Sequence, residues 1–256
     1  MSKSIGFIGF GNMAKAIAKG MNKYVIRAFD PISDNIKPPV IAAQTIAELT
    51  KLSDIVIISV KPQIVEQVLP EIKPNLTDEK IVVSIAAGIS AAYLSAQLGT
   101  DKIVQVMPNT PMLVGLGASA LARLDGVSDE EFTEVFQLFA LSGVAAEIPP
   151  SQMNAIIAVN GSSPAFIWTF AKAFIDYASE RGIDYDTAAS LFAGTLTGAA
   201  KMITESDDDI ETLIKKVCSP GGTTLAGLAA MEQSGFAESV KSACEACEAR
   251  AEEIGR

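Results

Sequence analysis

Histidine is absent from the 256 residues, tryptophan occurs once and cysteine three times. Without imidazole, Ser-His-Asp and Cys-His nucleophilic schemes and His-ligated metal centres are excluded. Acid–base chemistry then falls to carboxylates, Lys, Tyr, hydroxyls or the substrate itself. Cys218, Cys244 and Cys247 are too few and too uneven for a disulfide framework and fit a reducing compartment. Cys244 and Cys247 form a C-x-x-C, but no second pair and no histidine accompany them, so no metal or redox centre is expected. No uninterrupted apolar run reaches the ~18 residues that span a bilayer, and Met1-Ser2-Lys3 leads straight into a strand-like run rather than a secretion signal. A cytoplasmic chain with no membrane partner is the expectation. Basic residues are also scarce: 20 Lys and Arg stand against 30 Asp and Glu. A net charge of −10 argues against nucleic acid, whose phosphates need clustered cations.

What is present divides at Pro149-Pro150. Before it, β-rich runs alternate with helical patterns. Strands are predicted at Ile5–Gly9, Val25–Asp30, Ile55–Val60, Ile81–Ile85, Ile103–Met107 and Ala145–Ile148. Helices are predicted at Asn12–Lys23, after Thr45, at Ala91–Leu98 and from Ser128 to Leu141. Thr45-x-x-Glu48 and Ser128-x-x-Glu131 have the spacing of capping boxes, in which a hydroxyl and a carboxylate satisfy free amides reciprocally. Near-continuous apolar strands alternating with helices mean βαβ units and a doubly wound, mostly parallel sheet. From Gln152 onward no strand is predicted. Helices are expected at Gln152–Asn160, Pro164–Arg181, Asp186–Glu205, Ile210–Val217, Thr224–Ser234 and Phe236–Ile254. The expected organisation is therefore a Rossmann-type domain over 1–149 and a helical domain over 150–256. The helical part is rich in Ala and Gly (Gly194, Gly198, Ala199, Ala200), which suits packing against a second copy.

Gly9-Phe10-Gly11-Asn12-Met13-Ala14 falls between the first predicted strand and helix and has the G-x-G-x-x-A pattern of a dinucleotide turn. Gly9 allows the tight turn, Gly11 lets backbone approach a pyrophosphate, and Ala14 keeps helix and strand close. Asp30 ends the second strand about twenty residues on; a carboxylate there accepts ribose hydroxyls and repels a 2′-phosphate, favouring NADH. The alternative is that Asp30-Pro31 starts a turn. Lys61-Pro62, Ala86-Ala87-Gly88 and Met107-Pro108-Asn109 follow three further strands at the same sheet edge, where three such loops together suggest room for a flat ring; taken singly, each also reads as an ordinary strand–helix connection.

Two glycine-rich interruptions lie in the helical part, Asn160–Phe166 and Cys218–Thr224, each expected to break one helix and start another. Free amides at a new helix N-terminus beside hydroxyls make a carboxylate site; a plain helix–helix turn is the other reading.

Taken together, G-F-I-G-F-G-N-M-A, S-V-K-P-Q, A-A-G-I, M-P-N-T-P, N-G-S-S-P-A-F and the long Val217–Glu232 segment resemble the pyrroline-5-carboxylate reductases over essentially the whole chain. The resemblance implies an N-terminal Rossmann domain, a helical dimerisation domain, and decamers built from dimers. It implies NAD(P)H-dependent reduction of a cyclic imine to proline. Gly9, Gly11, Asn12, Met13 and Ala14 would hold the pyrophosphate. Val60, Lys61, Pro62, Ala87, Gly88, Pro108 and Asn109 would line the cofactor. Ser219, Gly221, Gly222, Thr223 and Thr224 would bind the substrate carboxylate, with the Thr224 hydroxyl reaching the ring nitrogen. The family usually takes NADPH, read by small polar residues after the second strand; Asp30-Pro31-Ile32-Ser33 departs from that pattern. Asn160 and Phe166 stand where a small residue and Tyr are commoner. A hydroxyacid or deazaflavin-linked oxidoreductase shares the first turn but not the second loop, and would want a base such as Lys172 or Lys201. A non-catalytic nucleotide sensor would need no second site.

Overall fold

The structure, a computed structural model, describes residues 3–255. Met1, Ser2 and Arg256, at the outer bounds of the two expected domains, lie outside the described residues. Among the described residues eight strands form one sheet: β1 (Ser4–Ile8), β2 (Val25–Phe29), β3 (Ile41–Ala42), β4 (Ile55–Ile58), β5 (Ile81–Ser84), β6 (Ile103–Met107), β7 (Gly117–Arg123) and β8 (Gly143–Glu147). Their order is β3-β2-β1-β4-β5-β6-β7-β8. The first six run parallel, β7 runs antiparallel to β6, and β8 follows β7 in parallel. The winding direction reverses between β1 and β4, the crevice where doubly wound sheets hold ligands.

Both faces of the central strands are covered, which is why they read as unbroken apolar runs. Ile55, Ile57, Ile81, Val83, Val104 and Val106 join a core under α1 (Asn12–Lys19) and α5 (Asp129–Ala140). Their neighbours Val56, Ile58, Val82 and Ile103 point the other way, under α2 (Ile46–Lys51), α3 (Pro62–Ile72) and α4 (Ala91–Leu98). Each such side chain contributes about 1.5–3 kcal/mol when fully buried. The Ser128 capping box forms reciprocally at the head of α5. At Thr45 only half of it forms: Glu48 donates its amide to the Thr45 hydroxyl, while its carboxylate accepts from Gln44.

Three elements differ from the sequence reading. The short β3, the helix α3 and the strand β7 were not expected. In addition, α1 ends at Lys19, capped by Gly20, four residues before the predicted end. The break expected at Asn160–Phe166 does not occur. Instead α6 (Met153–Ile156) passes through a π-helical turn, Ile157–Ser162, directly into α7 (Ser163–Ser179). No fresh helix N-terminus opens there, so this segment supplies no free amides.

The chain packs as two compact units, one of residues 3–164 with 244–255 and one of residues 165–243. The change from mixed α/β to purely helical structure lies earlier, since no strand follows Glu147 among the described residues. The second unit contains most of α7, then α8 (Tyr185–Glu205), α9 (Ile210–Lys216), α10 (Thr223–Gln233) and the start of α11 (Phe236–Ile254). Phe170, Phe174, Phe192 and Phe236 form its aromatic cluster, with Phe174 and Phe192 stacked at 4.6 Å. Yet Ala188 is the only residue of 165–243 that a single chain buries. Trp168 is 61% exposed and Leu191 68%.

Candidate functional site

The turn after β1 has the geometry the glycine spacing demands. Gly9 has φ +84°, and a β-carbon on it would lie 2.9 Å from both the Ser59 carbonyl oxygen and Val60 Cγ1. The end of β4 therefore abuts the turn, and Ser59 Oγ donates to the Gly9 carbonyl at 2.6 Å. Gly11 caps α1 with ordinary φ (−76°) and no side-chain cap. A β-carbon on Gly11 would meet nothing within 4 Å, so open space faces it. The first amides of α1, at Asn12, Met13 and Ala14, have no intrahelical acceptor and add the positive end of the helix dipole. An uncapped helix N-terminus beside an open glycine at the sheet's reversal point fits a diphosphate.

Asp30 lies just past β2 and is tied to this turn. Its Oδ2 accepts from the Phe10 amide at 2.7 Å, and its Oδ1 accepts from the Ile32 amide at 2.9 Å and Asn35 Nδ2 at 3.1 Å. Burial alone would push the carboxyl up, but these donors and the charge of Lys15 hold it below the ordinary carboxylate value. Asp30 thus does start a turn, while its position at the strand end is the one from which ribose is read.

Of the expected cofactor residues, Met13, Val60, Lys61, Ala87 and Pro108 line one cleft of about 350 Å³. The cleft is completed by Ser59, Ile85, Met107, Ile157, Gly161 and Ser162. Ile157 was not legible as a site residue. It faces the cleft because of the π turn, and such turns are frequent at functional sites. Asn160, in the same turn, is buried and donates through Nδ2 to the carbonyls of Met107 (2.7 Å) and Ala118 (3.2 Å). It thereby pins the turn to the end of β6 and the start of β7. Its Oδ1 is buried without a protein partner.

Pro62, Gly88 and Asn109 do not line this cleft. Pro62 is the first residue of α3. Gly88 has φ +79°, and a β-carbon there would meet the Ala251 carbonyl at 2.8 Å and Ile254 at 3.2 Å, so the docking of α11 requires this glycine. Asn109 is buried, its Oδ1 accepting from the Ala118 amide at 2.8 Å.

The second loop belongs to the other compact unit. There the break between α9 and α10 does form. Gly221 has φ +72°, the Gly222 amide donates to the Ser219 carbonyl at 2.9 Å, and a β-carbon on Gly222 would strike Ser219 Oγ at 2.4 Å. Gly222 caps α10 without a side-chain cap, which leaves the Thr223 and Thr224 amides free beside their exposed hydroxyls. Lys172 pairs with Asp176 on the surface and Lys201 is exposed.

Family models of known proteins match two parts of the chain. A family model described as pyrroline-5-carboxylate reductase dimerisation matches residues 150–254. One described as NADP oxidoreductase coenzyme F420-dependent matches residues 4–88, the stretch containing the first glycine turn. The pyrroline-5-carboxylate reductase of Escherichia coli is 35% identical over 268 residues, covering all of both chains. That of Pisum sativum is 35% identical, covering 99% of this chain and 96% of its own. The crystal structure of the Plasmodium falciparum pyrroline carboxylate reductase with NADP bound superposes with a TM-score of 0.90 at 30% identity, covering 99% of this chain and 98% of that one. Among the described residues, no helix is long and apolar enough to cross a membrane. With matches of this identity running from end to end, the chain belongs to the pyrroline-5-carboxylate reductase family.

Proposed function

We propose that this chain reduces 1-pyrroline-5-carboxylate to L-proline with NADPH or NADH, the last step of proline biosynthesis. The observation that carries the reading is the full-length match, at 35% identity, to a reductase of that name, together with the Ser219–Thr224 loop heading α10. NAD(P)H, when bound, supplies the hydride. The rest is orientation, which this chain's residues can provide without histidine. Gly9, Gly11 and the free amides of Asn12, Met13 and Ala14 would hold the diphosphate, and Asp30 the ribose. Met13, Val60, Lys61, Ala87 and Pro108 would wall the cleft against water; Pro62, Gly88 and Asn109 would act by shaping the loops around it. The free amides of α10, with Ser219, Gly221, Gly222 and Thr223, would hold the substrate carboxylate. A protonated imine is already electrophilic, so the Thr224 hydroxyl has only to steady the ring nitrogen. Holding reacting atoms about 3–3.5 Å apart accounts for much of the rate such enzymes need. Mixing the protein with pyrroline-5-carboxylate and each reduced cofactor should give substrate-dependent loss of dihydronicotinamide absorbance. No loss with either cofactor rejects the activity.

The same reading takes residues 150–256 as a dimerisation domain and 1–149 as the dinucleotide domain. The apolar surface left bare on residues 165–243 supports this, because monomers rarely expose so much of it. A homodimer is the expected unit, with a decamer built from dimers as the larger assembly, in a cytoplasmic setting consistent with the three free cysteines. Sedimentation at micromolar concentration should return at least two chains per particle. A single-chain mass there removes the dimer.

A further inference from the structure

The environment of Asp30 contains a cation whose place has a consequence for the cofactor. Asn35, which donates to Asp30 Oδ1 through its Nδ2 at 3.1 Å, accepts through its Oδ1 from Lys15 Nζ, also at 3.1 Å. One carboxamide therefore separates the ammonium of Lys15 from the carboxylate that marks the ribose. Lys15 projects from α1, one residue beyond the G-x-G-x-x-A turn. With Asn35, Lys19 and Lys37 it borders a cavity of about 780 Å³ beside β2, in which Asp34 is the only acidic lining residue. Three lysines around one cavity are conspicuous in a chain of net charge −10.

A lone carboxylate at the end of β2 repels a phosphate on the adenosine 2′-oxygen. Here three protein donors occupy most of the carboxylate's acceptor sites, leaving one on Oδ2 for a ribose hydroxyl, and the charged side chain joined to this cluster is the cation Lys15. We infer that Lys15 is the specificity-determining residue that admits the adenosine 2′-phosphate beside Asp30, so that the site accepts NADPH as well as NADH. The assignment rests on the dinucleotide reading above. A lysine meets phosphate as a flexible point charge, which suits a residue held only by a neutral carboxamide and free to swing from it. Lys37 borders the same cavity but makes no bond to Asn35 or Asp30, so its contribution is the smaller one.

Isothermal titration calorimetry of the intact protein with NADPH and with NADH tests this, because it reads binding rather than turnover. Lys15→Gln should weaken NADPH roughly 10- to 100-fold, the loss expected of one charge-assisted contact, while changing NADH less than about threefold. Lys15→Arg should restore NADPH binding to within a few-fold, and Lys37→Gln should cost NADPH less than Lys15→Gln does. Equal losses for both cofactors in Lys15→Gln, or no loss for NADPH, overturn the assignment. A wild-type protein that binds neither cofactor overturns the dinucleotide site itself, and this assignment with it.

Discussion

Gly9→Ala should cost both stability and cofactor binding, whereas Gly11→Ala should cost binding alone. The two glycines are two residues apart, yet their surroundings differ in kind. At Gly9 the backbone is left-handed, which costs an L-residue roughly 1–2 kcal/mol, and the new β-carbon would sit 2.9 Å from the Ser59 carbonyl oxygen and Val60 Cγ1. The end of β4 would have to move, and overpacking of this sort adds about 1–3 kcal/mol. Since Ser59 also donates to the Ile8 and Gly9 carbonyls, the shift would pass into β1 and widen the crevice. At Gly11 the backbone is ordinary and, beyond its chain neighbours, no protein atom lies within 4 Å of the added carbon. Urea denaturation should therefore find Gly11→Ala within about 0.5 kcal/mol of the parent, the range of an unremarkable exposed substitution. Its affinity for NADPH and NADH should nevertheless fall by at least about tenfold, because the methyl occupies the space reserved for the diphosphate. Parental affinity in Gly11→Ala would mean that no diphosphate passes there.

How much of this was legible depended on whether a residue's partners are local. The strands β1, β4, β5 and β6 announce themselves as apolar runs because both faces are covered. The Ser128 box needs only its own turn. By contrast β7, Gly-Ala-Ser-Ala-Leu-Ala-Arg, has weak strand propensity and exists because β6 and β8 pair with it. A β-carbon on Gly143 would lie 2.0 Å from the Gly117 carbonyl oxygen, so the close approach of β7 and β8 is also set by residues far apart in sequence. Gly88 could be read as a glycine but not assigned a neighbour, since the helix that needs it arrives about 160 residues later. Asn160-Gly161 reads as a helix breaker, but the Asn160 carboxamide bonds to β6 and β7 stabilise a π turn instead. Asp30 shows a further limit. Its place at the end of the second strand was legible, but its three donors and the nearby ammonium were not, because they come from Phe10, Ile32, Asn35 and Lys15 across the turn.

Thr224→Ala should lower kcat/KM for pyrroline-5-carboxylate by roughly 10- to 100-fold, the range for losing one hydrogen bond to a charged partner. Affinity for either cofactor should stay within about twofold. The site allows this separation because Thr224 is exposed in the first turn of α10 and no described hydrogen bond holds its hydroxyl. Removing the hydroxyl therefore leaves the helix standing, and circular dichroism should be unchanged. Thr224→Ser keeps the oxygen and should recover most of the activity, which a loss through packing would not permit. Gly222→Ala makes the contrasting case: its new carbon would strike Ser219 Oγ at 2.4 Å and the Ser219 carbonyl at 3.0 Å, so the loop itself must open. That variant should raise KM through a distorted carboxylate site, and serine-like rescue is not available to it. If Thr224→Ala turns over substrate at the parental rate and KM while Gly222→Ala does not, the loop binds the substrate through its backbone amides alone and the hydroxyl has no part in the reaction.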